Sequence, residues 1–187
     1  QALAAPDAEV LVLGHTRWAS VGIISQPNAH PLNSEELDRA DGPYVTGVLN
    51  GDVDNFADLK ATEGLHIPTE ITTDAKVIPT LVSRQLSAGK DLVEAFRETV
   101  NRLEGSVAIG ASSASAPDKL LLALRGSGQA LYIGLAEDTF IIASEPYGVV
   151  EETDTYLRMD GETPSDPTNT ASRGQIVVLD SRAAGTL

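Results

Sequence analysis

The clearest pattern in the chain is a series of short apolar runs separated by polar and glycine-containing segments. Apolar runs of this length, enriched in β-branched residues and bounded by turn-forming residues, are typical of β-strands. Seven of them predict strands at residues 10–13, 44–49, 106–110, 119–124, 130–135, 139–143 and 175–179. Most of these strands lie in the second half of the chain, so that half should be rich in sheet.

A different period marks residues 91–103, where Leu92, Phe96, Val100 and Leu103 recur at the spacing of one helical face. Asp91 precedes this apolar face, and Glu94 lies three positions after Asp91, which is the spacing of a capping box. The pattern therefore predicts an amphipathic helix that begins at Asp91.

Residues 74–86 predict a second helix, because Val77, Ile78, Leu81 and Leu86 are apolar at helical spacing. Pro79 is compatible with this helix only within its first turn, where its missing N–H group removes no hydrogen bond. Residues 163–173 are rich in Pro, Ser, Thr and Asp and predict an exposed loop. Two helices with a run of antiparallel-type strands indicate an α+β layered domain.

Composition fits one globular domain over residues 1–187, with 42% hydrophobic residues, 21% charged residues and a mean hydropathy of -0.05. Thirteen basic and 27 acidic residues give a net charge of -14, and this charge repels nucleic acid and anionic membranes. No apolar run is long enough to span a bilayer, and the first residues lack the basic flank of a signal peptide. We therefore expect a cytoplasmic protein that binds neither nucleic acid nor membrane.

The sequence offers no convincing site for a metal or a cofactor. It contains no cysteine, which excludes disulfides and thiolate metal ligands, and its histidines lack the close spacing of a zinc site. A calcium loop starting at Asp52 fails, because Phe56 and Ala57 occupy positions that require an oxygen ligand and a glycine. We expect no metal and no cofactor.

The most informative chemical motif is Gly-His-Thr-Arg-Trp-Ala-Ser-Val-Gly at residues 14–22, followed by Asn-Ala-His-Pro at residues 28–31. The Arg17 guanidinium can form two parallel hydrogen bonds with a carboxylate, so Arg17 is a candidate for the wall of a pocket that binds a carboxylate ligand. The alternative for Arg17 is a surface salt bridge. Trp18 either shields such a pocket or packs in the core.

Two further positions carry polar groups that could line a binding pocket. The Asn50 amide beside the backbone N–H of Gly51 can form an oxyanion hole, although Asn-Gly after an apolar run is also typical of a hairpin turn. Asp74 can receive an ammonium group, or it can be a cap or a dipole partner at the start of the helix that follows it.

Taken together, these motifs resemble the glutaminase domain of class II glutamine amidotransferases, specifically the glucosamine-6-phosphate synthase family. The resemblance extends from about residue 8 to residue 180 and implies the four-layer αββα sandwich of N-terminal-nucleophile hydrolases. It also implies that Asn50 and Gly51 form the oxyanion hole, and that the substrate, glutamine or glutamate, is bound by Arg17, Trp18, Ser20 and Asp74.

The sequence departs from the family at several positions beside these motifs. Val21 replaces a frequent histidine, and Ala75 and Lys76 replace a small hydroxyl residue and an acid, which reverses one charge beside the expected pocket. Leu49 stands where a histidine is often found, a change of little consequence for an amide donor.

The family attacks glutamine with an N-terminal cysteine, and Gln1 cannot do this chemistry. We therefore interpret the chain as the C-terminal portion of a glutaminase domain, incomplete at its N-terminal edge and inactive alone. The alternative is a non-catalytic module on the same scaffold that binds amino acids or regulates. The resemblance implies a sugar-phosphate isomerase domain beyond Leu187 and allows a homodimer. The amidophosphoribosyltransferase and asparagine synthetase branches remain alternatives for the ammonia acceptor.

Overall fold

The computed structural model describes residues 9–39 and 42–184. Within these ranges the chain forms two antiparallel sheets and three α-helices. The larger sheet has five strands in the order β1 (Leu32–Asn33), β2 (Val45–Val53), β3 (Gly105–Ser113), β4 (Ala116–Arg125) and β8 (Gln175–Asp180). The smaller sheet has the order β6 (Phe140–Ala143), β5 (Tyr132–Leu135) and β7 (Tyr156–Arg158). The helices are α1 (Phe56–Thr62), α2 (Val77–Ser87) and α3 (Leu92–Asn101).

Strand β4 shows how the layers are built. Leu121 and Ala123 belong to the apolar cluster that includes the helices, whereas Leu122 and Leu124 belong to the cluster that includes the smaller sheet. Because successive side chains of a strand point to opposite faces, the larger sheet lies between the helices and the smaller sheet. The predicted α+β class with antiparallel sheets is confirmed, and the described residues form three of the four layers that the resemblance implies.

Six of the seven predicted strands form, but residues 10–13 have no regular secondary structure. Leu11 and Leu13 pack against the cluster on the smaller-sheet side, while the side chain of Val12 is 79% exposed. The segment thus has the alternation of a strand without a neighbouring strand in the described part of the chain. Alternation predicts which side chains are buried, but a strand also requires a partner for its backbone.

Both predicted helices form, with corrected starting points. The Asp91 carboxylate accepts hydrogen bonds from the N–H groups of Val93 and Glu94, each at 3.1 Å, and α3 begins at the next residue. Residues 74–76 form a 3₁₀ turn, so α2 begins at Val77 and Pro79 lies in its first turn. The sequence pattern missed α1, because Leu59 is the one buried residue of that short helix.

Lys76 is the largest polar side chain that the described core encloses completely. Its ammonium donates hydrogen bonds to the backbone oxygens of Asn33 at 2.6 Å and Glu35 at 2.7 Å, and to Asn33 Oδ1 at 3.0 Å. Burial lowers the pKa of Lys76 to about 8. The side chain therefore ties the 3₁₀ turn before α2 to the segment that contains β1.

We expect Lys76→Met to lower the free energy of unfolding by about 2–4 kcal/mol, because the substitution leaves buried carbonyl groups without their charged donor. Urea unfolding measures this loss. Lys60→Met on α1 is the control and should change stability by less than about 0.5 kcal/mol. Equal losses in the two variants would show that the Lys76 contacts do not stabilise the fold.

Candidate functional site

The site forms along an edge of β2 that its neighbouring strand leaves uncovered. Strand β1 pairs with β2 only at Gly47 and Thr46. Farther along β2, side chains take the place of a strand: the N–H of Leu49 donates to His30 Nδ1 at 3.5 Å, and the N–H of Val53 donates to Asp74 Oδ2 at 2.7 Å. The edge between these two contacts forms one wall of a cavity.

Asn50 and Gly51 lie inside β2 and not in a hairpin turn, so the turn interpretation is wrong. They are in register with Ala108 and Val107 of β3. Gly51 has a φ of 113°, and a Cβ at this position would lie 2.0 Å from the backbone oxygen of Ser106. Only glycine allows the two strands to approach this closely.

A cavity of about 310 Å³ brings all the predicted site residues together. The predicted residues on its wall are Arg17, Trp18, Ser20, Asn50, Gly51 and Asp74. The cavity is also lined by His15, Thr16, Val21, His30, Leu49, Asp52, Thr73, Gln129 and Ser144. The structure thus places Arg17, Asn50 and Asp74, which are distant in sequence, around one polar cavity. This is the arrangement that the resemblance implies.

Arg17 organises the loop that forms the second wall. Its guanidinium donates to the backbone oxygen of Val21 and, at 3.3 Å, to that of Ile23. Ser20 Oγ donates to Asp52 Oδ1, which attaches the loop to β2. Within residues 9–39 and 42–184, Arg17 forms no ion pair with a carboxylate, so the surface salt bridge considered for it is not observed.

Trp18 is 97% exposed and stands at the rim of the cavity. It belongs to neither apolar cluster. The interpretation of Trp18 as a core residue is therefore wrong. A large apolar side chain that is left in solvent beside a polar cavity can cover a ligand that enters it.

Asp74 is buried at the base of the cavity, and its carboxylate is turned towards β2. In addition to the Val53 contact, Asp74 Oδ1 accepts a hydrogen bond from Thr73 Oγ1 at 3.3 Å. Burial raises the pKa of Asp74, and the hydrogen bond from Val53 opposes this shift. The N-cap position of the 3₁₀ turn belongs to Thr73, so Asp74 is not its cap. Asp74 is the first residue of the turn, where a carboxylate is favoured by the dipole.

Asn28, the first residue of the Asn-Ala-His-Pro motif, supports the site from below. The fully buried side chain accepts hydrogen bonds on Oδ1 from the N–H groups of Thr72 at 2.8 Å and Thr73 at 2.9 Å. Its Nδ2 donates to Ser25 Oγ at 2.8 Å and to the backbone oxygen of Glu70 at 3.3 Å. Asn28 therefore fixes the segment that leads into Asp74.

Lys76 does not line the cavity, and its ammonium is bound by carbonyl groups of the segment that contains β1. The expected reversal of charge beside the pocket therefore does not occur. Lys76 is close to Asp74 in sequence, but residues two positions apart in a 3₁₀ turn point in different directions.

Two histidines form the inner side of the cavity. The rings of His15 and His30 stack with centroids 4.9 Å apart. His15 Nδ1 and His30 Nε2 are buried without a hydrogen-bond partner among the described residues. Burial, reinforced by the charges of His15 and Arg17, lowers the pKa of His30 to about 4, so its ring is neutral at pH 7.

This lowered pKa predicts a loss of stability in acid. Between pH 6.5, the ordinary pKa of histidine, and about 4, the unfolded chain binds more protons at His30 than the folded chain does. Stability should therefore fall as the pH is lowered through this interval, and His30→Gln should make the fall less steep. Thermal unfolding at a series of pH values measures the slope. An identical slope in the variant would contradict the assignment.

Among residues 9–39 and 42–184, no cluster of three His, Asp or Glu side chains is arranged to hold a metal ion. The helices in the same ranges are too short or too polar for any of them to cross a bilayer.

Sequence comparison finds clear relatives, although no protein-family model matches the chain. Glutamine–fructose-6-phosphate aminotransferase (isomerizing) of Clostridium tetani is 35% identical over 154 residues, which are 80% of this chain and 23% of that protein. The enzyme of the same name from Streptomyces coelicolor is 38% identical over 144 residues, 75% of this chain and 22% of that protein. The chain thus spans less than a quarter of the length of these relatives.

Structure comparison agrees. The glutamine phosphoribosylpyrophosphate amidotransferase of B. subtilis, in complex with ADP and GMP, matches 76% of this chain and 29% of that one. The TM-score is 0.59 and the sequence identity 25%. The implied fold is therefore confirmed, and over the matched region the chain is homologous to glutamine amidotransferases, among them the glutamine–fructose-6-phosphate aminotransferases.

Proposed function

We propose that the cavity beside β2 binds the amino-acid part of L-glutamine, and that the chain is the glutamine-binding region of a glutaminase. The observation that supports this most strongly is the convergence of Arg17, Asn50 and Asp74 around one cavity. These side chains supply a cation, an amide donor and an anion, which match the carboxylate, the side-chain carbonyl and the ammonium of glutamine.

The three side chains retain bonding capacity after their internal contacts are counted. The Arg17 guanidinium has five N–H donors and uses two of its nitrogens for backbone oxygens. The Asp74 carboxylate accepts from Val53, Thr73 and the backbone of Ala75, and a carboxylate has about four acceptor positions. The Asn50 side chain forms no hydrogen bond with another described residue. The internal contacts orient these groups, and the remaining capacity is available to a ligand.

The strand geometry supports an oxyanion hole at Gly51. The N–H groups of Leu49 and Val53 both point away from β3, towards His30 and Asp74. Because alternate residues of a strand direct their N–H groups to the same side, Gly51, midway between them, should present its N–H to the cavity. The Asn50 amide and this N–H would then stabilise the oxyanion that forms when the glutamine amide is attacked.

We propose that the nucleophile is a cysteine from outside residues 1–187, because these residues contain none. In the proposed reaction a thiolate attacks the side-chain carbonyl carbon of glutamine, ammonia leaves from the tetrahedral intermediate, and water hydrolyses the resulting thioester to glutamate. This chain would contribute substrate recognition and oxyanion stabilisation. We expect it to release no ammonia by itself.

At the level of the whole protein, we propose that the ammonia is used for amino-sugar phosphate synthesis. The relatives are named for an aminotransferase that acts on fructose 6-phosphate, and this name supports the acceptor. The segment that they share with this chain is less than a quarter of their length. A sugar-phosphate isomerase domain beyond Leu187 would then receive the ammonia. A homodimer remains a prediction.

The binding proposal is tested by NMR titration of the chain with L-glutamine, D-glutamine and glutaramate, which lacks the ammonium group. We expect L-glutamine to bind at least about tenfold more tightly than either analogue. Asp74→Asn should weaken the binding of L-glutamine but leave the binding of glutaramate nearly unchanged, because only L-glutamine has an ammonium group to contact the Asp74 carboxylate. Asp54→Asn, an exposed site outside the cavity, is the control. Equal affinity for both enantiomers would refute the proposal.

A further inference from the structure

A second cavity, of about 520 Å³, lies where α3, the end of β4 and the start of β8 meet the loop of residues 163–174. It shares no lining residue with the amino-acid cavity. Its volume is in the range of small-molecule pockets. The apolar part of its wall comes from Val100, Leu124 and Ile176.

The charge of this cavity is opposite to that of the protein. Three of the 13 basic residues, Arg97, Arg125 and Arg173, line it, and no aspartate or glutamate does, although the net charge is -14. Arg97 is neutralised by Glu94 of the same helix. In the part of the chain that the structure describes, Arg125 and Arg173 form no ion pair with a carboxylate.

The Arg125 guanidinium is held in place by hydrogen bonds, but not all of its N–H groups have an acceptor. Its side chain is largely buried, with the residue only 9% exposed, and Nη1 donates to the backbone oxygens of Ala171 at 2.9 Å and Arg173 at 3.2 Å. These bonds attach the loop to β4. The Nε atom is buried without an acceptor in the described residues, and burial together with the Arg173 charge lowers the pKa of Arg125. Two neighbouring guanidinium groups without a counterion are an unfavourable arrangement that a bound anion would relieve.

The loop adds one neutral donor to the same wall. Asn169 uses its side-chain oxygen to accept from the N–H of Ala171 at 3.0 Å, which leaves its amide NH₂ as a donor. Ser165 and Ser172 also line the cavity. Their hydroxyl groups already donate to backbone oxygens of the loop, Ser165 to Ser172 at 3.3 Å and Ser172 to Asn169 at 2.7 Å. The donors left for a ligand are the guanidinium groups and the Asn169 amide, which suit the acceptor oxygens of a phosphate group.

We propose that this cavity binds a small phosphomonoester, with the phosphate between Arg125 and Arg173 and the organic part against Val100 and Ile176. A bare phosphate would satisfy the arginines but leave most of the volume and the apolar wall unused. The site is separate from the amino-acid cavity, so its failure would not affect the proposed glutamine binding.

Isothermal titration of the chain with inorganic phosphate and with phenyl phosphate tests the proposal. We expect both to bind saturably, phenyl phosphate at least fivefold more tightly, and both more weakly as ionic strength rises. Arg173→Ala, at an exposed position that should not affect folding, should weaken both ligands at least tenfold. Arg158→Ala removes the same charge outside the cavity and should leave both affinities unchanged.

The proposal would be overturned if neither ligand bound saturably at concentrations on the order of 10 mM. It would also be overturned if the two arginine variants lost the same amount of affinity. Equal affinity for the two ligands would overturn the part that concerns the organic group and assign the cavity to inorganic phosphate. Arg125→Gln should also weaken both ligands, and this variant tests the anion contact a second time. Its unfolding curve measures the effect on the loop, and its titration measures the effect on binding.

Discussion

Gly51→Ala should lower the free energy of unfolding by about 3–5 kcal/mol, the largest loss that we expect from a single added methyl group in this protein. The new Cβ would lie 2.0 Å from the Ser106 oxygen, so β2 and β3 would have to separate beside the cavity. The backbone at Gly51, with a φ of 113°, is also one that alanine adopts only under strain. Urea unfolding measures the loss.

Gly89→Ala is the matched control for this substitution. Gly89 also has a positive φ, of 89°, but no atom lies within 4 Å of the position that its Cβ would take. Its alanine variant should therefore lose only about 1 kcal/mol, the contribution of backbone strain. Similar losses at Gly51 and Gly89 would mean that the close approach to Ser106 is not what requires glycine in β2.

Arg17→Ala should weaken L-glutamine binding by about 2–5 kcal/mol, which corresponds to a Kd at least about 30-fold higher. The proposed reason is that the carboxylate loses its charged partner in a partly enclosed cavity. NMR titration under the conditions used for the unsubstituted chain measures the change. The Kd of Arg17→Lys should lie between those of the unsubstituted chain and Arg17→Ala, because lysine keeps the charge but cannot form two parallel hydrogen bonds with the carboxylate.

Arg17 also holds its own loop, so a loss of binding needs a control for loop structure. The resonances of Ser20 and Ile23 report the loop contacts, and the free energy of unfolding reports the fold as a whole. Arg39→Ala, an exposed arginine outside the cavity, controls for the change of net charge. If Arg17→Ala binds L-glutamine as tightly as Arg39→Ala does, Arg17 does not contact the carboxylate.

The period of apolar residues was sufficient to predict α3 and most strands, because these elements bury one or both faces against the core. It failed where stability depends on non-local partners. Residues 10–13 alternate as a strand does, yet the described chain offers them no strand to pair with. Helix α1 forms with one buried residue, and therefore leaves almost no periodic signal.

The site residues were predicted from motifs, but their surroundings were not. Nothing local indicates that Asn50 and Gly51 continue a strand instead of turning, since that depends on pairing with residues nearly 60 positions away. The role of Asn28 likewise depends on contacts with Thr72 and Thr73, and the direction of Lys76 depends on carbonyl groups near β1. These contacts join residues that are distant in sequence, so the local pattern of residues contains no signal of them.

A crystal structure of the chain with saturating L-glutamate tests the central claim most directly. The account predicts one molecule in the cavity beside β2, with its α-carboxylate on Arg17, its ammonium on Asp74 and its side-chain carboxylate towards Asn50 and Gly51. Trp18 should become less exposed when the ligand is bound. A ligand bound elsewhere, or bound in this cavity with its α-carboxylate away from Arg17, would contradict the assignment.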